Sequence, residues 1–221
     1  MNEQKICFII CSNDDLFLSE CCLYIQSLQV PESYEIDIIS IQEAASMTEG
    51  YQYAMSQTDA KYKIYLHQDV FIINPNFIID ILKIFKQDEK IGMIGMVGSV
   101  ELPQCGIMWE NKQRCGAVYA NRIVKQVKTF FNIPIEGLYQ EVEAIDGLLM
   151  ATQVDVPWRE DLFQGWDFYD VSQSMEFRKA GYKVVVPYQK EPWCIHDDDV
   201  LELKNYEKWR KVYLENYGDE I

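Results

Sequence analysis

The chain has 221 residues, of which 48% are hydrophobic and 25% charged, so it can bury one full core. Its 35 acidic and 20 basic residues give a formal charge of −15, which argues against non-specific binding to nucleic acid or to an anionic membrane surface. The seven cysteines are odd in number and lack a recurring CxxC pair, so they indicate neither a disulfide framework nor a structural zinc site.

No stretch has the pattern of a targeting signal or of a membrane-spanning helix. The start, "MNEQKICFIIC", lacks a basic region followed by a long apolar one, and Asn74, Pro75 and Asp80 interrupt "FIINPNFIIDILKIF". We therefore expect a cytoplasmic protein with reduced thiols and no integral membrane segment. Peripheral attachment to the inner face of the membrane stays open.

Strand and helix patterns alternate along the first half of the chain. Strands are predicted at 5–11, 34–41 and 63–66, and helices at 16–28, 43–57 and 75–86, the last with Pro75 as its first residue. A further apolar segment follows at 91–100. This βαβαβ order predicts a mostly parallel α/β sheet with right-handed crossovers.

The second half is less regular at its start. Residues 101–141 show no clear periodicity, and we expect loops and short strands over one edge of the sheet. Beyond them, we predict a helix in the segment 170–182, ending at Gly181, and a strand at 183–188. In the C-terminal helix, Tyr206, Trp209 and Tyr213 fall at helical spacing and are expected to pack on the domain. With no internal repeat or linker, residues 1–221 are interpreted as one domain.

A polar interruption, His67-Gln68-Asp69, follows the third predicted strand directly. In open α/β sheets ligands bind beyond the carboxyl ends of strands, and the period of two puts His67 and Asp69 on the same side, opposite Gln68. An imidazole with a carboxylate suits Mn²⁺, with Mg²⁺, Co²⁺ and Zn²⁺ as alternatives. The other interpretation is a polar turn in which His67 only hydrogen-bonds the backbone.

The only other histidine, His196, stands in "WCIHDDDV", again beside acids at the end of an apolar segment. It is therefore a candidate third metal ligand. The alternative is structural, because Asp198 or Asp199 could cap a helix that begins near Leu201.

An ordered set of motifs resembles glycosyltransferases of the large inverting family 2, which have the GT-A fold. "EGYQYAM" and "DAKYKIYLHQDVFI" resemble the nucleotide-sugar segment, above all in a bacterial subgroup whose D-x-D-like motif reads H-Q-D. "FQGWDFYDVSQSMEFRKAGYKVVVP" resembles the acceptor-side segment, and "KICFIICSNDD" and "IGMIGMVGS" extend the likeness over most of the chain. The resemblance implies a nucleotide-sugar half at 1–100 and an acceptor half with the C-terminal helix at 101–221.

The resemblance also implies roles for single residues. Asp69 would bind the metal that bridges the donor diphosphate, with His67 and His196 as metal or phosphate contacts. Asp170 matches the catalytic base, and its structural alternative is the N-cap of the helix that follows. On the acceptor side the candidates are Trp166 and Asp167. Apart from the resemblance, the Trp166 ring could stack on an acceptor sugar, or it could only brace the loop beside Gly165. The candidate donor contacts are Cys11, Ser12, Asn13, Ser40, Tyr51, Gln52 and Gln68.

The implied reaction moves a sugar from a UDP-type or GDP-type donor to a hydroxyl of a sugar, lipid-linked or protein acceptor, with Mn²⁺ or Mg²⁺. Ser40 or Gln42 stands where many members carry an acid, and Ser172 replaces a second acid after Asp170. These departures leave a second hypothesis open, an inactive nucleotide-sugar-binding module. A third, a metallohydrolase that uses the two histidines and Asp69, lacks any HxH or HExxH pair.

Overall fold

The computed structural model describes residues 1–122, 125–131, 133–197 and 203–220. The helices are α1 (Asp15–Gln26), α2 (Met47–Ser56), α3 (Phe77–Phe85), α4 (Tyr169–Lys179) and α5 (Tyr206–Tyr217), with short 3-10 turns at Met108–Glu110 and Gly218–Glu220. The strands are β1 (Asn2–Ser12), β2 (Glu35–Gln42), β3 (Ala60–His67), β4 (Val70–Ile72), β5 (Ile91–Gly95), β6 (Val97–Ser99), β7 (Arg114–Arg122), β8 (Lys125–Phe130), β9 (Tyr139–Val142), β10 (Ala144–Ile145), β11 (Leu149–Thr152), β12 (Lys183–Pro187) and β13 (Cys194–His196).

The main sheet has the order β2-β1-β3-β11-β5-β12-β9. Within the described residues, five of its strands run in one direction, and β11 and β9 run against them. Helices cover both faces, because alternate residues of the apolar strand β1 point to opposite sides. Phe8 packs in the cluster that contains α1 and α3, and Ile9 in the cluster that contains α2 and α4. The predicted α/β architecture is thus confirmed.

A second sheet contains β7 and β8, from the segment that the sequence left irregular. Its order is β10-β6-β7-β13-β4, and β8 pairs with β7 as an antiparallel hairpin. The prediction of loops and short strands at 101–141 is therefore corrected, since β7 alone has nine residues. The pattern was weak because the described side chains of β8 are only half-buried or exposed, so no apolar alternation marks that strand.

Two helices, α2 and α3, begin later in the chain than predicted. The helix α2 begins at Met47 because Ser46 Oγ accepts a hydrogen bond from the Glu49 amide, while Glu49 reaches back to the Ala45 amide. The helix α3 begins at Phe77 and not at Pro75, whose carbonyl accepts a hydrogen bond from the Gln29 amide.

The C-terminal helix α5 packs on the rest of the chain as predicted. Trp209 and Tyr213 are buried in a cluster with Phe163, Phe168 and other apolar residues. Asp198, Asp199 and Leu201 lie outside the described residues, so their predicted capping role stays a prediction. None of the helices that the structure describes combines the length and apolar character needed to cross a lipid bilayer.

Candidate active site

Strand pairing brings His67, Asp69 and His196 together. His67 is the last residue of β3, Asp69 lies in the turn before β4, and β13 places His196 opposite Val70 of β4. Asp69 Oδ1 lies 3.9 Å from His67 Nδ1 and 3.7 Å from His196 Nε2. One ligand atom from each of the three residues falls within 4.8 Å of the others, as expected for side chains that surround a single ion.

The state of Asp69 fits a divalent cation. Its Oδ1 is buried and has no hydrogen-bond partner in the described part of the chain. Burial raises the pKa of the Asp69 carboxyl, and the nearby His196 opposes that shift. A buried oxygen without a partner carries a desolvation cost that a bound cation relieves. Two imidazoles and a carboxylate form a donor set suited to a metal of intermediate hardness.

A tyrosine next to this cluster orients one of its histidines. The Tyr169 hydroxyl and His67 Nε2 form a hydrogen bond, and His67 Nδ1 faces Asp69. Tyr169 is buried, and its hydroxyl approaches Gly147 so closely that a Cβ there would lie 2.1 Å from it. Only glycine fits at position 147 without moving Tyr169.

Gln68 holds the loop between β1 and α1. Its Oε1 accepts hydrogen bonds from Ser12 Oγ at 3.0 Å, from the Asn13 amide at 3.0 Å and from the Asp14 amide at 2.9 Å. Its Nε2 donates to Asn13 Oδ1 at 2.6 Å. Gln68, which was predicted to contact the donor, therefore holds the loop between β1 and α1 in shape.

A first cavity of about 530 Å³ opens beyond the carboxyl ends of β1, β2 and β3. Burial raises the pKa of the Cys11 thiol to about 12, so this thiol is neutral near pH 7 and is a poor metal ligand or nucleophile. The lining residues are Cys11, Ser12, Asn13, Ile41, Glu43, Ala44, Met47, His67, Gln68, Asp69 and Trp166.

Three predicted donor contacts do not line this cavity. Tyr51 is fully buried, and its ring centroid lies 5.0 Å from those of Tyr65 and Trp158. Gln52 Oε1 accepts a hydrogen bond from the Trp158 amide at 2.9 Å, and Ser40 is exposed on β2. The prediction that Tyr51 contacts the donor is corrected, because the rotation of α2 about its axis turns the Tyr51 ring into the core.

A second cavity of about 780 Å³ also borders the cluster. His67, Asp69 and Trp166 line both cavities, whereas Asp167, Asp170 and His196 line only the second. Trp166 is 52% exposed. The candidate metal centre therefore stands at the junction of the two spaces, and the predicted base and acceptor-side residues face the second one.

Asp170 lies in the first turn of α4. Its Oδ2 accepts a hydrogen bond from the Gly147 amide at 2.9 Å, and its Oδ1 accepts one from the Val171 amide at 2.8 Å. Burial, with the negative charge of Asp146 as the next cause, raises the pKa of Asp170 to about 7. The N-cap position belongs to Phe168, so Asp170 does not cap the helix.

Sequence reasoning missed Asp146 and Glu43 at these cavities. Asp146 interrupts the apolar run "AIDGLLM", the same kind of signal that singled out His67 and Asp69. Glu43 has no such signal. Glu43 and Phe168 are the non-glycine residues with positive φ in the described backbone, at 59° and 62° respectively. Glu43 lines the first cavity and Phe168 the second, and strained backbone positions of this kind cluster at functional sites.

Comparison with solved structures places the fold in the GT-A-like class. The mannosyltransferase PcManGT from Pyrobaculum calidifontis, in complex with GDP-Man and Mn²⁺, superposes with a TM-score of 0.57 at 11% identity, over 95% of this chain and 61% of that one. S. aureus TarS 1–349 in complex with UDP gives 0.53 at 7% identity, over 94% and 64%. Its complex with UDP-GlcNAc gives 0.53 at 8%, over 90% and 60%.

The chain belongs to the family described as "Glycosyltransferase like family", whose model matches residues 7–217. A search of curated proteins gives no significant match. The chain spans about three fifths of the length of the solved structures above. At these identities the structural likeness establishes the fold, and the family match establishes the membership.

Proposed function

We propose that this chain is a metal-dependent glycosyltransferase that moves a sugar from a UDP-type or GDP-type donor to an acceptor hydroxyl with inversion. The observation that carries the proposal is the position of the His67, Asp69 and His196 cluster between two cavities, with Asp170 only in the second. Family membership supports it, as do solved relatives bound to GDP-Man with Mn²⁺, to UDP and to UDP-GlcNAc.

The charges around the first cavity explain the need for a cation. Glu43 and Asp69 line it, and its described lining includes no lysine or arginine, so a diphosphate would be repelled. A divalent ion held by His67, Asp69 and His196 would supply the positive charge that binds the diphosphate and stabilises it as a leaving group. The imidazoles favour Mn²⁺, with Mg²⁺ as the alternative.

Asp170 is the proposed general base. Because its pKa is about 7, a large fraction is ionised near neutral pH and accepts the proton of the attacking hydroxyl. The Gly147 and Val171 amides hold the carboxylate in place. A direct displacement needs no covalent nucleophile, and the neutral Cys11 thiol is not suited to that role.

The remaining residues position the substrates. Ser12 and Asn13 form the edge of the donor cavity, and Gln68 keeps them there through three of its four hydrogen bonds. Trp166 and Asp167 contact the acceptor. In this proposal 1–100 is the donor half and 101–221 the acceptor half of a single domain.

The test measures UDP and GDP affinity by calorimetry with EDTA and with Mn²⁺, followed by turnover of a panel of nucleotide sugars. We expect measurable binding only with the ion, and donor hydrolysis or transfer for at least one sugar. Equal affinity in EDTA removes the metal from the proposal. Nucleotide binding without any turnover favours the inactive binding module, and phosphate release from simple phosphoesters favours the hydrolase.

A further inference from the structure

We infer that the acceptor is an uncharged carbohydrate whose pyranose ring lies between an aromatic wall and a row of carboxylates in the second cavity. This inference rests on the proposed transferase function and adds the chemical class of the acceptor. The volume of about 780 Å³ lies within the range of about 300–1,000 Å³ that is usual for small-molecule sites.

The aromatic wall consists of Trp109 and Phe131, whose ring centroids lie 5.7 Å apart. Arg114 braces them, with its guanidinium carbon 5.8 Å from the Trp109 ring and 5.4 Å from the Phe131 ring. Arg114 Nη1 also donates to the Trp109 carbonyl at 2.7 Å. Trp109 is nevertheless 42% exposed. Exposed rings that are held rigidly offer a flat apolar surface at low entropic cost, and the C–H face of a pyranose matches such a surface.

Hydrogen-bond acceptors line the same cavity elsewhere. Asp146 and Asp170 come from two adjoining segments, linked where the Gly147 amide donates to Asp170, and Asp167 precedes α4. Ionised carboxylates only accept hydrogen bonds, so they match ligand hydroxyl groups. An aromatic wall together with carboxylates suits a sugar ring, which has an apolar face and a rim of hydroxyls.

The charges of the cavity disfavour an acidic acceptor. Besides Asp69, whose charge the proposed ion would offset, three carboxylates, those of Asp146, Asp167 and Asp170, line the cavity, against Lys204 as the single lysine or arginine among its described lining residues. The chain as a whole carries a formal charge of −15. A carboxylate or phosphate on the acceptor would meet like charges in a partly desolvated space, which costs affinity.

The test is saturation-transfer NMR on the full chain with UDP or GDP and Mg²⁺, which replaces the paramagnetic Mn²⁺. The probes are methyl glycosides of glucose, galactose and mannose, each compared with its uronide or its sugar phosphate. We expect at least one neutral glycoside to bind about tenfold more tightly than its acidic counterpart. Nucleotide binding in the same samples reports separately on the proposed function.

Four variants locate the bound probe. Trp109→Ala and Phe131→Ala should each weaken the neutral glycoside about tenfold, whereas Tyr188→Ala, which removes an exposed aromatic ring outside both cavities, should not. Asp167→Asn should narrow the gap between neutral and acidic probes. The inference is overturned if acidic probes bind as tightly as neutral ones, if no neutral glycoside binds while nucleotide does, or if the wall variants bind normally.

Discussion

The hydroxyl of Tyr169 is hydrogen-bonded to Nε2 of His67, which ties the first turn of α4 to the end of β3. Asp170, the proposed base, is the next residue along α4. Gly147 helps to position both residues: its amide donates a hydrogen bond to Asp170, and its lack of a side chain leaves room for Tyr169. One short segment therefore positions a candidate metal ligand and the base together.

Tyr169→Phe should weaken Mn²⁺ binding by about 10–100-fold, because the ligand His67 loses the partner that orients its ring. Binding is measured without nucleotide, from the EPR signal of free Mn²⁺. The matched control is Tyr51→Phe, because Tyr51 lies in the same aromatic cluster and its buried hydroxyl has no partner among the described residues. If the two variants bind Mn²⁺ alike, Tyr169 has no positioning role.

Asp170→Asn should lower kcat by about 10²–10⁴ while nucleotide affinity stays nearly unchanged, since the variant removes the proton acceptor and one of its two amide hydrogen bonds but leaves the lining of the first cavity intact. Asp167→Asn should act mainly on the KM for the acceptor. Retention by Asp170→Asn of more than about a tenth of wild-type turnover would remove Asp170 as the base.

The pH dependence of the wild type follows from the raised pKa of Asp170. The carboxyl is protonated below about pH 7, so kcat should fall as the pH is lowered through that value. The measurement is kcat between pH 5.5 and about 8.5 at saturating metal, a range chosen to bracket the pKa. A flat profile across this range would mean that a different group accepts the proton.

Gln68→Ala should reduce UDP or GDP affinity by about 5–30-fold, because the loop at Ser12 and Asn13 loses its hydrogen-bonded support. Mn²⁺ affinity without nucleotide should change little. The Gln68→Glu variant distinguishes the loss of loop support from the effect of charge. Its side chain still has oxygens that accept hydrogen bonds from the loop, but it adds a negative charge near the diphosphate. Wild-type nucleotide affinity in Gln68→Ala would show that the loop holds its shape unaided.

Asp155→Ala should destabilise the fold on the order of 3 kcal/mol, because Lys63 is fully buried and its Nζ pairs with Asp155 at 2.7 Å. Lys63→Met should cost less, since it leaves no unpaired buried charge. Urea unfolding measures both. If Lys63→Met lowered the free energy of unfolding more than Asp155→Ala does, the packing of the lysine stem would matter more for stability than its charge.

Local sequence determined much of the fold and part of the site. The apolar run of β1 and the glycine that follows α4, Gly181, are local features, and the polar interruption after β3 was enough to single out His67 and Asp69, although Asp69 lies in the turn beyond the strand. The motif around Asp170 could also be recognised from the sequence, because all of its residues lie within one short segment. In each case the deciding interactions occur within a few residues along the chain.

Only the tertiary structure decided what joins these pieces. Pairing of β13 with β4 brings His196 to Asp69, and the rotation of α2 about its axis buries Tyr51 instead of turning it to the donor cavity. The contact of Tyr169 with His67 depends on Gly147, from a third segment. Strand pairing across long loops and the choice of buried helix face are set by the packing of the whole core, and no local pattern encodes that packing.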